Sequence, residues 1–379
     1  MPELPPVLFL LNSLGVGGSE GKFVRLANAL CGRGASVTLA YLNPPTPLLA
    51  AVDSRVAVVH LHRRGKFSIR ALRALVGTIR SRGVQVVIAV NLYPALYVQL
   101  ARRLLDSPRL RFLVSVNTTD VATRKLALAM PLYRSVLRRA DEVIFGAESQ
   151  RRLWRERYGI GGPGRGTRVI YNGVDADHFK PERSTARSRP VIGTVGRMRP
   201  EKAQLDLVQA TAALRHQGLD VSALIVGDGS ERAAIEREIA RLGLERHVTL
   251  AGETSEVRPF LARMDVFVLT STGIETFSNA ALEAMACGIP VVSAAIGGMA
   301  ELLAFGGGIT YPPGDVAKLT ACLAQLLEDR ERRARMSRAA RRAVLEHFSW
   351  NDTLEQFIEA LAPSGAELSR AEPRRVELR

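Results

Sequence analysis

The chain has 379 residues, 47% of them apolar, and carries a formal charge of +15. It is too long for one ordinary core, so two domains are expected, and no stretch approaches the roughly 18 to 20 apolar residues that span a bilayer. Three scattered cysteines argue against a disulfide framework and six histidines show no metal-ligand spacing, so neither a metal nor a cofactor is expected.

The excess of positive charge lies entirely in the first half. Residues 1–189 hold 30 Lys and Arg against 12 Asp and Glu, whereas residues 190–379 hold 22 against 25. Such a field suits an anionic membrane surface or a polyanion; arginines decorating solvated helix faces are the plainer alternative. Glu3 and an apolar run of only five residues, Val7 to Leu11, do not make a secretory leader, so a cytoplasmic protein is expected.

Short apolar runs alternate with helical patterns along the chain. Strands are expected at Val7–Leu11, Val37–Tyr41, Val86–Val90, Phe112–Val116 and Val143–Phe145, then at Val191–Val195, Ala223–Val226, Val248–Leu250, Val266–Leu269 and Val291–Ser293. This alternation predicts an α/β protein with two doubly wound, Rossmann-like domains of mostly parallel strands. Asp175 to Pro190 loses the periodicity, which places a linker at 179–190 between an N-terminal domain, 1–178, and a C-terminal domain, 191–348. A last helix, 349–362, is expected to pack back on the first domain, and the polar 363–379 reads as a disordered tail. Open α/β sheets bind ligands at the carboxyl ends of their strands, so the expected site is a cleft that the two domains face.

Four loops are candidates for that site. Gly15-Val-Gly-Gly-Ser-Glu20 follows the first strand and precedes a helical pattern from Lys22 to Leu30; it is either a phosphate-binding loop or a tight turn. Val195-Gly-Arg-Met-Arg-Pro-Glu-Lys202 brings two cations, Arg197 and Lys202, to the end of another strand; the pattern suits a diphosphate, or is a solvated loop with two stray basic residues. Gly227-Asp-Gly229 reads as a tight turn, and Asp175-Ala-Asp177 as turn chemistry rather than a metal motif.

The fourth loop is the most informative. Ser271-Thr-Gly-Ile-Glu-Thr-Phe-Ser-Asn-Ala-Ala-Leu-Glu-Ala-Met-Ala-Cys-Gly288 runs from a buried strand into a short helix that is expected to be capped by Ser278 and to end before Gly288. Its first amides, near Asn279 and Ala280, suit an anion, and Glu283, flanked by apolar residues, calls for a hydroxyl or cation partner such as a ribose. Glu275 and Glu283 are eight positions apart, roughly 12 Å even at the helical rise of about 1.5 Å per residue, too far for the paired carboxylates of a glycoside hydrolase.

Together these segments resemble the retaining glycosyltransferases of family four, also described as glycosyl transferases group 1, which have the GT-B fold. Glu275 to Glu283 matches their E-x7-E motif, Gly297-Gly-Met-Ala-Glu301 the GGxxE that follows, and Gly196-Arg197 with Lys202 the diphosphate grip. Gly17-Gly18 matches the amino-terminal phosphate loop, Tyr171-Asn-Gly-Val-Asp175 the strand end before the linker, and Phe348-Ser-Trp350 the point where the last helix turns back.

The resemblance implies roles. Arg197 and Lys202 would neutralise the leaving diphosphate of a nucleotide sugar, Glu275 would hold the donor sugar, and Glu283 the ribose. Gly17, Gly18, Gly196, Ser278, Asn279 and Glu301 would complete the donor site, with Glu253 and Thr254 near the base. UDP is the expected base, with GDP left open, and the acceptor a hydroxyl of a lipid-linked or cell-envelope glycan. A nucleotide-sugar epimerase or hydrolase on the same fold is the alternative, and nucleic acid is not an expected partner.

Two positions depart from the family pattern. Asn117 stands where many members have His and cannot carry a proton at neutral pH, which leaves it a sugar contact rather than a base; Thr276 stands where Gly is frequent. Thr123 to Arg139 mixes basic and apolar residues at helical spacing. With Ser68–Arg82 and Gln150–Arg157 it is a candidate membrane-facing surface at the inner face of the cytoplasmic membrane; apolar positions buried in the core are the alternative.

Overall fold

A computed structural model describes residues 4–15, 17–105, 110–118, 124–161, 166–182, 189–273 and 275–362, the side chains of 124–127 excepted. The expected tail at 363–379 and much of the expected linker lie outside the described residues.

Seven strands form the first sheet: β1 (Val7–Leu11), β2 (Val37–Tyr41), β3 (Ala57–His60), β4 (Val86–Val90), β5 (Arg111–Val116), β6 (Glu142–Phe145) and β7 (Thr167–Val169), in the order β3-β2-β1-β4-β5-β6-β7. Six form the second: β8 (Val191–Val195), β9 (Ser222–Val226), β10 (Val248–Gly252), β11 (Val266–Leu269), β12 (Val291–Ala294) and β13 (Gly308–Tyr311), in the order β10-β9-β8-β11-β12-β13. The ladders β1–β2, β1–β4, β8–β9 and β11–β12 are parallel, as strands joined by helical crossovers must be. Strands β1, β2, β4 and β11 are buried at every position, because helices cover both faces.

Between the strands run α1 (Gly18–Gly32), α2 (Ile69–Ser81), α3 (Leu92–Leu105), α4 (Arg124–Leu137), α5 (Glu148–Tyr158), α6 (Gln204–His216), α7 (Arg232–Arg241), α8 (Arg258–Leu261), α9 (Asn279–Ala286), α10 (Met299–Leu303), α11 (Val316–Glu328), α12 (Arg330–His347) and α13 (Trp350–Leu361). Two compact units result. One gathers the chain up to Val116, Leu132–Ile144 and the chain from Leu354; the other gathers Asn117–Pro131 and Phe145–Thr353.

In the first unit Phe23 of α1 meets Phe9 of β1 and Phe357 of α13, with ring centroids 5.6 and 5.9 Å apart. In the second, each face of the sheet has its own apolar core. Leu282, Met285, Leu302 and Val344 pack on Phe267 and Leu269, and on the other face Leu207, Ile235 and Leu323 pack on Ile192, Ile225 and Val268.

Three strands were not expected. β3 is half exposed and so lacks a continuous apolar run, β7 has only three residues, and β13 begins on a glycine. Helix α1 also starts earlier than the expected Lys22, so Gly18 already belongs to its first turn.

Candidate active site

The loop after β8 is shaped by its neighbour after β9. Gly196 N–H donates to the Val226 carbonyl at 2.9 Å, Met198 N–H to Asp228 at 2.9 Å, and Glu231 N–H to Met198 at 3.1 Å. Gly227 and Gly229 have φ of +131° and +155°, and a Cβ on either would lie 2.1 Å from the Gly196 oxygen or 2.2 Å from the Met198 oxygen. Only glycine permits this approach. The expected tight turn at Gly227–Gly229 is thus also the support for Arg197, whose side chain is exposed and whose carbonyl accepts from the buried Gln204 Nε2 at 2.9 Å.

A short turn, Pro200–Lys202, continues the loop and is pinned to the segment after β11. The amides of Thr272 and Gly273 donate to the Glu201 carbonyl at 3.0 and 3.3 Å, and the Thr270 hydroxyl donates to the Lys202 carbonyl at 2.7 Å. This docking delivers Lys202 to Glu275. Their side chains form an ion pair with Nζ 2.5 Å from Oε2, and Ser271 Oγ donates to the same oxygen at 3.3 Å. Glu275 is the more enclosed partner, with 12% of its side chain exposed against 27% for Lys202.

Two glycines back the Glu275 turn. Gly297, at φ +54°, approaches so closely that a Cβ would lie 1.6 Å from the Glu275 carbonyl oxygen, and Gly298 N–H donates to the Thr276 carbonyl at 2.8 Å. Gly297 and Gly298 therefore shape the Glu275 turn through the backbone. Ile274, inside that turn, lies outside the described residues.

Helix α9 begins as expected. Ser278 is buried and its Oγ accepts from Ala281 N–H at 3.3 Å, and Asn279 Oδ1 accepts from Asn172 Nδ2 at 2.9 Å. The dipole of α9 makes its amino end favourable for an anion. Glu283, half-buried, lies one turn further along. Burial pushes the neighbouring Cys287 thiol up to about 11, with Glu182 and Glu283 adding to the shift, so it is no nucleophile at neutral pH.

Other expected site residues have partners of their own. Glu301 accepts from the amides of Glu148 and Ser149 at 3.0 and 3.1 Å, from Ser149 Oγ at 3.1 Å and from the Tyr171 hydroxyl. Glu253 is exposed, while the Thr254 hydroxyl closes a turn with the backbone of Glu256. The Asn117 carbonyl accepts from the Thr276 hydroxyl at 3.2 Å, so the two departures from the family pattern touch each other. Gly17 caps α1 in an extended conformation without a side-chain hydrogen bond; it and Gly18 belong to the first unit. Arg197, Lys202, Glu275, Ser278, Asn279 and Glu283 all belong to the second.

Asp175 Oδ1 accepts from the amides of Asp177 and His178 at 3.1 and 3.0 Å, which is the expected turn chemistry. Among the described residues, no group of three or more His, Cys, Asp or Glu side chains is placed to hold a metal ion. No helix among them is long and apolar enough to cross a membrane. A cavity of about 400 Å³ lies at the amino ends of β11 and β12, lined among others by Lys180, Arg258, Met264, Ile289 and Arg330. The Lys202–Glu275 pair lies at the opposite, carboxyl edge of the sheet.

Residues 16–178 match the family described as Glycosyltransferase Family 4, and residues 175–343 the family described as Glycosyl transferases group 1. The chain is 30% identical over 270 residues to a GDP-mannose-dependent alpha-(1-6)-phosphatidylinositol monomannoside mannosyltransferase of Mycolicibacterium smegmatis, covering 66% of this chain and 70% of that protein. It is 26% identical over 351 residues to the lipopolysaccharide core biosynthesis glycosyltransferase LpsE of Rhizobium meliloti, covering 91% and 96%. The crystal structure of Anabaena Alr3699/HepE in complex with UDP and glucose matches the fold with a TM-score of 0.80 at 23% identity, covering 94% of this chain and 99% of that one. With two Rossmann-like sheets, the Lys202–Glu275 pair where a strand turns into a helix and these relatives, the chain belongs to the group 1 glycosyltransferases and has the GT-B fold.

Proposed function

We propose that this chain transfers a hexose or related sugar from a nucleoside diphosphate to a hydroxyl of a lipid-linked or cell-envelope glycan, with retention of anomeric configuration and without a metal. The observation that carries this reading is the Lys202–Glu275 ion pair, held where β11 turns into α9. A cation from the loop after β8, with a carboxylate and a helix amino end from the loop after β11, suits two parts of one donor: its diphosphate and its sugar.

Arg197 and Lys202 supply the positive charge that a divalent metal supplies in other transferases, and they act on charge that develops as the sugar–phosphate bond breaks. Glu275 orients the sugar and Glu283 takes the ribose hydroxyls. Retention follows when the acceptor oxygen bonds to the anomeric carbon on the face the diphosphate leaves, the acceptor proton passing to the departing phosphate oxygen. Such a path needs no protein base, which suits Asn117.

Relatives that act on phosphatidylinositol mannoside and on lipopolysaccharide core support an envelope acceptor. The donor base is UDP on the likeness to the UDP-bound structure, with GDP the competing choice on the likeness to the GDP-mannose-dependent enzyme. Peripheral binding at the inner face of the cytoplasmic membrane is supported by α4, where Leu128 and Leu132 are 84% and 51% exposed near the exposed Arg134 and Arg138.

The test is the stereochemistry of the product. Proton NMR of a reaction run with EDTA should show the donor's anomeric configuration kept in the glycoside; an inverted product, or turnover abolished by the chelator, contradicts the reading.

A further inference from the structure

Glu301 matches the acid of GGxxE, yet its carboxylate is engaged by protein. Helix α5 has Ala147 at its N-cap position, with no side-chain cap hydrogen bond, and its first two amides, Glu148 and Ser149, donate to Glu301 instead. The hydroxyls of Ser149 and Tyr171 also donate to it, so two oxygens accept four hydrogen bonds. Helix α10, which carries Glu301 in its first turn, starts directly after Gly297 and Gly298, the residues packed on the Glu275 turn. Ser149 Oγ lies 3.3 Å from the Gly297 carbonyl as well.

Tyr171 and Asn172 close the arrangement from the other side. The Tyr171 ring packs on Phe277 and Phe348, with centroids 5.3 and 5.7 Å apart. Asn172 Nδ2 donates to the Phe277 carbonyl at 3.1 Å and to Asn279 Oδ1 at 2.9 Å. Burial, and then the bond to Glu301, hold the Tyr171 phenol protonated well above its usual range, so the hydroxyl remains a donor. The turn from Glu275 to Asn279 is thereby fixed on both flanks.

We propose that Glu301 and Tyr171 are positioning residues, which set the Glu275 turn and the amino end of α9 without touching the donor. This rests on the transferase reading above and deepens it. A carboxylate bound by four protein donors has little capacity left for a sugar hydroxyl, whereas its loss would release α5, α10 and Tyr171 together. Misplacing a reacting group by about 1 Å is enough to slow turnover about 100-fold.

The experiment compares wild type, Glu301→Gln, Tyr171→Phe and the double variant in the full-length chain. Equilibrium binding of UDP, GDP and their sugar conjugates is measured by calorimetry, and kcat and KM by steady-state assay. The inference predicts Kd values within about twofold of wild type, with kcat reduced about 10- to 100-fold in Glu301→Gln and less in Tyr171→Phe. The double variant should be no slower than Glu301→Gln alone, because the phenol acts through the carboxylate.

A Kd for the sugar conjugate raised tenfold or more with kcat intact would make Glu301 a donor ligand and overturn the inference; so would unchanged kcat, or losses that multiply. If Glu301→Gln does not fold, Tyr171→Phe decides, since it leaves three donors on the carboxylate. Wild type that turns over no nucleotide sugar removes the transferase reading, whereas active wild type with unaffected variants removes only this inference.

Discussion

Lys202 and Glu275 meet at 2.5 Å although 73 positions separate them, and each is held there by its own backbone contacts. The turn that ends at Lys202 is tied through the carbonyls of Glu201 and Lys202 to Thr270, Thr272 and Gly273, and the turn that carries Glu275 rests on Gly297 and Gly298. The pair is therefore part of the second unit's framework before any donor arrives. Lys202→Ala and Glu275→Gln should each lower kcat/KM by about 100- to 1000-fold. Because the two side chains act as a unit, the double variant should lose far less than the product of the single losses. Steady-state kinetics on the three proteins checks this, and strictly multiplying losses would show that the residues act independently.

Gly297 and Gly243 both adopt positive φ, +54° and +65°, but differ in what surrounds them. A Cβ on Gly243 meets nothing within 4 Å, whereas one on Gly297 would collide with the Glu275 carbonyl. Alanine at either site incurs backbone strain of about 1 kcal/mol. Gly243→Ala should lower the Tm slightly and leave kcat unchanged. Gly297→Ala should lower kcat more than tenfold, since Glu275 has to move. Thermal melts and initial rates on both variants decide.

Much of the fold was legible in the sequence because buried parallel strands are continuous apolar runs. The turn from Val266–Leu269 into a helix capped by Ser278 was legible for a similar reason: strand, cap and terminating glycine are all local signals. What stayed hidden depends on contacts distant in sequence. Gln204 holding the Arg197 carbonyl, Thr270 holding the Lys202 carbonyl and Asn172 reaching Asn279 leave no periodic mark. Gly227 and Gly229 were visible as glycines, but their reason, the close approach of Gly196 and Met198, is tertiary. Likewise a motif match identifies Glu301 as an acid of interest without showing that α5 and Tyr171 bind it.

Lys22 was another feature without a local signal. It reads as the polar start of a helix, yet it is buried, with Nζ 5.3 and 5.6 Å from the ring centroids of Phe23 and Phe357. Burial lowers its pKa to about 8, below the ordinary lysine value of 10.5. Between those values the unfolded chain binds more protons, so this group makes folding more favourable as pH rises from about 8 to 10.5. Below pH 8 the burial penalty is fully present. Lys22→Met should therefore raise the Tm at pH 7 by at least ~2 °C, and the advantage should shrink above pH 8. Melting curves of both proteins from pH 6 to about 10 test the sign; an advantage that grows with pH would contradict it.

The exposed leucines of α4 are the proposed membrane contact. Leu128 and Leu132 are four positions apart and share one helix face. Replacing both with Glu should cut co-sedimentation with phosphatidylglycerol vesicles several-fold while leaving nucleotide binding and Tm nearly unchanged. Equal vesicle binding by wild type and variant would remove α4 from the membrane-facing surface.

In the proposed function the Lys202–Glu275 pair and the amino end of α9 bind a nucleotide sugar, and every other role depends on that binding. Its most direct test is calorimetric titration of UDP- and GDP-sugars into wild type, Lys202→Ala and Glu283→Ala. At least one conjugate should bind wild type at a single site, with affinity at least about tenfold weaker in each variant. Binding of equal strength in all three proteins, or no binding to wild type by any conjugate, would contradict it.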